Sequence, residues 1–459
     1  MMLESESHGA TVVLRPRLAR LCADALPQLE TRIADHQALG GTGVILDLGA
    51  VGRVAASGLG LLAELSARWH GGQGRQRGAL ALAVCGLSKR DTRALATLGL
   101  DQVLPIFPSP ATALNAEMFR AQALSGVRVL FLQPHMISPL GPLGRDVPFP
   151  MVDFLGRPVI DRWISHAARF GARDIFASDP ISGGALTTHM SGRRDVGVLV
   201  ASDPGKPGDR FARWHRDFGL FDGDTILITA LGIGDVDLAA LLRQHRATGA
   251  AVTHAMGPDG TLGIAVIAPE AAQILAQAPR PRLDQAAWNR LARLGLEVRG
   301  FMHRGVWLPL GSGRQFMASA ERALTGHYEV ARPSGREIAP GVWAAQGADL
   351  PARLTVEGCA HIGAGARLHP GCHLAGPVAL GPGTLVENNT FIRHSILTGD
   401  CRVRAGTPVD GMIAGPNWAF LHSLADGPPL SYPPLEGVEP MATQRAEDAA
   451  AETALTLIA

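Results

Sequence analysis

Ile362-Gly-Ala-Gly-Ala-Arg-Leu368-His-Pro-Gly-Cys-His-Leu374-Ala-Gly-Pro-Val-Ala-Leu380 places an apolar residue at every sixth position. The same phase extends back to Leu350 and Val356 and forward to Val386 and Ile392, eight positions in a row. In a chain that is 46% hydrophobic, chance produces such a run roughly once in 500 trials. A period of six fits neither a helix nor an alternating strand. It predicts a parallel β-helix, in which three hexads complete a coil and each apolar side chain points into a triangular interior. Gly363 and Gly381 directly follow inward positions. The phase slips by one residue to Leu397 and resumes at Val403 and Val409, so the repeat is placed at 336–420. Beyond it, Gly427-Pro428-Pro429 and an Ala/Glu-rich end predict a linker and a weak helical tail over 421–459.

Upstream of the repeat the pattern changes. With 459 residues the chain is too long for one core, and two to four domains are expected. Over 126–327, apolar strand runs such as 127–132 and 225–230 alternate with helical stretches that open at Val159 and Asp237. That alternation predicts a doubly wound, parallel α/β sheet with its site at the carboxyl ends of the strands. Over 1–122, strands at 10–14, 43–48 and 80–86 alternate with helices at 18–36, after Ser57, and at 89–98, a smaller α/β layer.

Composition excludes several classes. Lys plus Arg total 42 against 41 Asp plus Glu, a formal charge of +1, which gives no footprint for nucleic acid or an anionic membrane. No apolar run reaches the roughly 18 residues of a membrane span, and the start of the chain has no signal-peptide order. Five scattered cysteines (Cys22, Cys85, Cys359, Cys372, Cys401) lack CxxC spacing, so neither zinc nor disulfides are expected, and the setting reads as cytoplasmic. Only Lys89 and Lys206 are lysines, so any chemistry that needs a lysine has two candidates.

Three resemblances follow from these residues. Leu46-Asp47-Leu48, Ser57-Gly58-Leu59, Gly86-Leu87-Ser88 and 99–107 make the first segment similar to a STAS domain, the fold of bacterial anti-sigma-factor antagonists. That resemblance implies a protein partner and makes Ser57 a phosphorylation candidate, although Ala55-Ala56 replaces the usual Asp-Ser. The plain alternative for Ser57 is a helix cap. The second segment resembles the sugar-1-phosphate nucleotidyltransferases through Pro150-Met151-Val152, 156–161, 237–242, 249–253 and 306–311. The third resembles the left-handed hexapeptide-repeat β-helices, which implies a homo-oligomer.

The nucleotidyltransferase resemblance implies a glycine-rich phosphate loop, a lysine in a Pro-Lys pair, and two aspartates that hold Mg²⁺. The loop position is filled by 133–139, which contains no glycine; Phe149 stands at the lysine position, and Leu231 and Pro309 at the two aspartates. Arg193, Arg210 and Lys206 remain as weak ligand-binding candidates. Arg194 beside Arg193, and Asp222, Asp224, Asp235 and Asp237, read as solvated, turn or cap residues. His361, His369, His373 and His394 alternate with the inward hexad positions and are expected to be exposed or between coils, although related β-helix acyltransferases use a histidine base.

The expectation is therefore a multidomain α/β protein that acts as a non-catalytic regulator or scaffold in nucleotide-sugar or surface-polysaccharide metabolism. A sugar nucleotide and a protein are its expected partners, and no cofactor is expected. Two alternatives stay open: an active sugar-1-phosphate nucleotidyltransferase with an atypical site, which would need Mg²⁺, and a β-helix acyltransferase.

Overall fold

The chain begins as a hairpin, Met2–His8 against Thr11–Arg17. The first strand is an edge strand, held by diagonal ion pairs from Arg15 to Glu6 (2.6 Å) and Arg17 to Glu4 (2.7 Å). The computed structural model describes residues 2–8, 10–38, 41–69, 80–132, 140, 143, 147–179, 184–193, 198–202, 216–276, 285–423 and 433–441.

From the hairpin the sheet continues in parallel through Gly43–Asp47, Ala81–Cys85 and Ile106–Phe107. Helices Leu26–Ala38, Ala56–Trp69 and Lys89–Thr97 connect the strands. Its buried residues, among them Leu14, Leu29, Ile45, Leu62 and Leu82, form two clusters confined to the first 119 residues. The helix expected from residue 18 starts later. Leu18 and Leu21 instead bridge Val51 and Val54, and Pro27 sits in the first turn of the helix that follows.

The second segment contains a seven-stranded sheet in the order Val298–Met302, Val252–Gly257, Gly260–Ile267, Thr225–Ile228, Arg128–Phe131, Ile175–Asp179, Val198–Ser202. Four neighbouring strands, from Thr225–Ile228 to Val198–Ser202, are mutually parallel. The sheet is nevertheless mixed rather than all parallel, because Gly260–Ile267 runs antiparallel to both of its neighbours. Only two residues, Pro258 and Asp259, separate it from the preceding strand, too few for a parallel crossover.

From residue 342 the chain passes through three sheets in rotation. Val342–Ala344, Ala360–Ile362, Val378–Leu380, Ile396–Leu397 and Met412–Gly415 stack in parallel on one side. Two shorter parallel ladders form the other sides. Ile362, Leu368, Leu374, Leu380, Val386 and Ile392 fill the interior of this prism, each at most 4% exposed, whereas Leu350 and Val356 lie at its less covered first coil. Coils stack so closely that a Cβ at Gly363 would stand 2.6 Å from the Gly381 carbonyl carbon. The one-residue slip is visible in the pairing: Leu380 faces Leu397, seventeen residues on, where earlier rungs are eighteen apart.

One expectation is corrected here. Part of the stretch read as a linker returns to the prism: Val438–Pro440 pairs antiparallel with Cys401–Val403, and Val438 is buried. Val438 thereby covers interior residues that the end of the ladder would otherwise leave open. Residues 442–459, where a weak helix was expected, lie outside the described residues.

The first side of the prism has a second apolar face. Trp343, Cys359, Ala379, Ile396, Ile413 and Trp418 join the main core of the second segment, beside Phe316, Ala320 and Leu324 of helix Gly313–Gly326. The Trp343 indole N–H donates to the Leu324 carbonyl at 3.3 Å.

Candidate functional site

Strands Gly232–Gly234 and Trp307–Pro309 form a short antiparallel ribbon, in which Gly232 faces Pro309. The Leu310 N–H donates to the Leu231 carbonyl at 2.8 Å. Leu231 and Pro309, the positions where the nucleotidyltransferase resemblance would place metal-binding aspartates, therefore stand one register step apart across the ribbon rather than opposite one another. Neither supplies a carboxylate. The backbone oxygens nearby are committed too: Pro309 accepts from the Ser319 hydroxyl (2.7 Å) and Gly232 from the Trp163 indole N–H (2.9 Å).

Aromatic packing fixes this arrangement. A Cβ at Gly232 or Gly234 would stand 2.7 or 2.6 Å from the Trp307 ring, so the two glycines let the indole lie against the ribbon. Trp163 lies at 6.3 Å from Trp307 across the same ribbon. Divalent-metal chemistry needs hard oxygen ligands, and these residues do not fit it. Among the described residues no group of three or more His, Cys, Asp and Glu side chains could hold a metal.

Phe149 opens the short 3₁₀ turn Phe149–Met151 and is 4% exposed, inside the same core as Val152 and Phe154. An ammonium at that point would lose its hydration. The glycine-free loop 133–139, Lys206, Arg210 and Arg194 lie outside the described residues.

Arg193 is tied to the fold. It donates to the Asp161 carboxylate at 2.6 Å, and His189 contacts the same group at 3.0 Å. Together they clamp helix Ala185–Ser191 to helix Val159–Arg169. The four aspartates do not converge either. Asp237 caps helix Leu238–Thr248 by accepting from the Ala240 N–H (2.9 Å), Asp224 pairs with Arg246 (2.8 Å), Asp235 faces His303 (3.4 Å), and Asp222 lies 4.0 Å from Arg128.

Ser57 is exposed in the first turn of helix Ala56–Trp69, whose preceding residue is Ala55. The cap position is thus an alanine, and Ser57 does not occupy it. Gly58 explains the rest of the motif: a Cβ there would stand 2.4 Å from the Leu21 carbonyl oxygen.

Among the repeat histidines, His361 is 1% exposed, contacts the Ser334 hydroxyl at 3.1 Å, and is held by burial at a pKa of about 4. It belongs to a junction that sequence reasoning missed. Arg162, 2% exposed, donates there to the carbonyls of Phe154 (2.5 Å) and Arg332 (2.9 Å), and desolvation lowers its pKa to about 10. An arginine among Val159, Ile160, Trp163 and Ile164 was the available signal. His373 meets Glu357 at 3.2 Å.

No protein-family model matches the chain. It is 20% identical over 328 residues to a UTP–glucose-1-phosphate uridylyltransferase of Synechocystis sp., an alignment covering 60% of this chain and 84% of that protein. The likeness is distant and supports a nucleotidyltransferase-like region. No described helix is long and apolar enough to cross a membrane.

Proposed function

We propose that this chain is a non-catalytic regulator or scaffold in nucleotide-sugar metabolism that supplies surface polysaccharide. The observation that carries the reading is that Leu231 and Pro309, on the two strands of one short ribbon, offer no charged ligand where the resemblance expects two aspartates. Phe149 in the core supports it from a second position. The resemblance to a uridylyltransferase supports a sugar nucleotide as the ligand. In this reading the N-terminal layer is STAS-like and docks a protein partner around Ser57. The prism is a left-handed hexapeptide β-helix whose uncovered sides join copies into a homo-oligomer, and the protein works in the cytoplasm.

The test is titration of the full chain with UDP-glucose, UTP and glucose-1-phosphate, each with and without Mg²⁺. The reading expects sugar-nucleotide binding that is unchanged, within about twofold, by Mg²⁺, because Leu231 and Pro309 offer no carboxylate to recruit the ion. Binding that requires Mg²⁺ would contradict it.

A further inference from the structure

We propose that the cavity between the N-terminal layer and the second segment binds a small organic carboxylate with an apolar body. The cavity measures about 200 Å³. Part of the lining is apolar: Leu114 and Phe119 come from the N-terminal layer, and Ala239 and Leu242 from helix Leu238–Thr248. The polar part is Glu6 and His8 of strand Met2–His8 and Arg243 and Arg246 of the same helix.

The charged groups of the lining are not all paired directly. Glu6 meets Arg15 at 2.6 Å and contacts His8 at 3.1 Å, and Arg15 also holds Asp47 at 3.1 Å. Arg246 is paired with Asp224 at 2.8 Å. Arg243 has no described carboxylate within 4.0 Å and donates to the neutral Asn115 side chain at 2.7 Å. The acid acting on it from its own helix, Asp237, is committed to the cap at 2.9 Å. A half-buried guanidinium has five donors in a planar fork, which matches a carboxylate in two parallel hydrogen bonds. Burial already disfavours its charge, so an anion placed against it recovers part of that cost.

Size and charge narrow the ligand class. Pockets for nucleotide-sized ligands run from roughly 300 Å³ upward, so this cavity suits a smaller molecule. Arg243, a guanidinium with no described carboxylate within 4.0 Å, calls for one negative charge. A phosphate dianion would bring a second charge near Glu6, whose partner Arg15 is shared with Asp47. The apolar part of the lining calls for a ring or branched chain on the carboxylate. Such a ligand would touch both segments, at a junction where Arg120 already stacks on Phe170 at 5.4 Å.

The experiment is calorimetric titration of the full chain with acetate, isovalerate, phenylacetate, phenylacetamide and inorganic phosphate. Isovalerate or phenylacetate is expected to bind, with phenylacetamide and phosphate at least about tenfold weaker, the loss expected for a charge-assisted pair. Arg243→Gln should weaken the carboxylate by about tenfold or more, with Arg243→Lys in between. Ala247→Trp, at an exposed position on the rim, should block the cavity while the melting temperature holds, and it keeps the test valid if the arginine variants unfold. No saturable binding of any carboxylate below about 10 mM, equal binding of phenylacetamide, or binding unchanged by both Arg243→Gln and Ala247→Trp would overturn the proposal.

Discussion

Gly58 and Ser57 stand side by side in sequence and have opposite tolerances. Any side chain at Gly58 meets the Leu21 carbonyl, so Gly58→Ala should cost about 1–3 kcal/mol through overpacking. Urea denaturation reads this directly. Ser57→Ala should stay within about 0.5 kcal/mol of the parent, because its side chain is exposed. Ser57→Asp should add about 0.3–1 kcal/mol, since its charge sits in the first turn of a helix with no side-chain cap at Ala55. On the docking reading it also weakens capture of the partner protein, which a pull-down with both variants would test; equal recovery would leave Ser57 without a switch role. The glycine of this motif was legible as a signature, but its reason was not, because Leu21 approaches from another part of the chain.

At the scale of elements, helix Val159–Arg169 makes the folded state sensitive to acid. The His166 ring donates through Nε2 to the Val236 carbonyl at 2.7 Å, and burial holds its pKa at about 4. His361 in the prism is held at about 4 as well. Both are neutral when folded, whereas in the unfolded chain they take up protons below about pH 6.5. Stability should therefore be intact above pH 6.5 and fall as the pH drops toward 4, by roughly 2 kcal/mol for each histidine at pH 5. Equilibrium unfolding at pH 7 and pH 5 measures the slope, and a flat profile would contradict the burial of both rings. In the prism, Leu374→Ala at an inward position should cost about 2–5 kcal/mol, while Arg367→Ala on its exposed side should cost little. The hexad period identified the inward residues because interior packing repeats along the chain. It could not reveal the second face, on which Trp343, Ile396 and Ile413 pack against a helix distant in sequence. The returning strand Val438–Pro440 was hidden for a similar reason: it is three residues long and is defined by its partner.

Across the whole molecule, the division of the cores predicts how it melts. The prism and the second segment share one buried cluster, whereas the N-terminal clusters stay within the first 119 residues. Scanning calorimetry should resolve one transition for the N-terminal layer and a second for the prism and second segment together. Leu29→Ala should lower only the first. Because the prism covers that shared core, removing residues 336–420 would expose Phe316 and Leu324 and unfold more than the repeat. Strand–helix alternation made the layered α/β organisation legible in sequence, and Leu231 and Pro309 were placed at the resemblance's two aspartate positions by counting from flanking motifs. That these two positions lie one register step apart on neighbouring strands required the ribbon. The measurement that bears most directly on the central claim is pyrophosphate release by the full chain with UTP, glucose-1-phosphate and Mg²⁺. The proposed non-catalytic reading predicts turnover below about 0.1 s⁻¹, under the ordinary range of enzymes, because Leu231 and Pro309 supply no acid where the resemblance expects one. Steady release at about 1 s⁻¹ or faster, with UDP-glucose as the product, would contradict it.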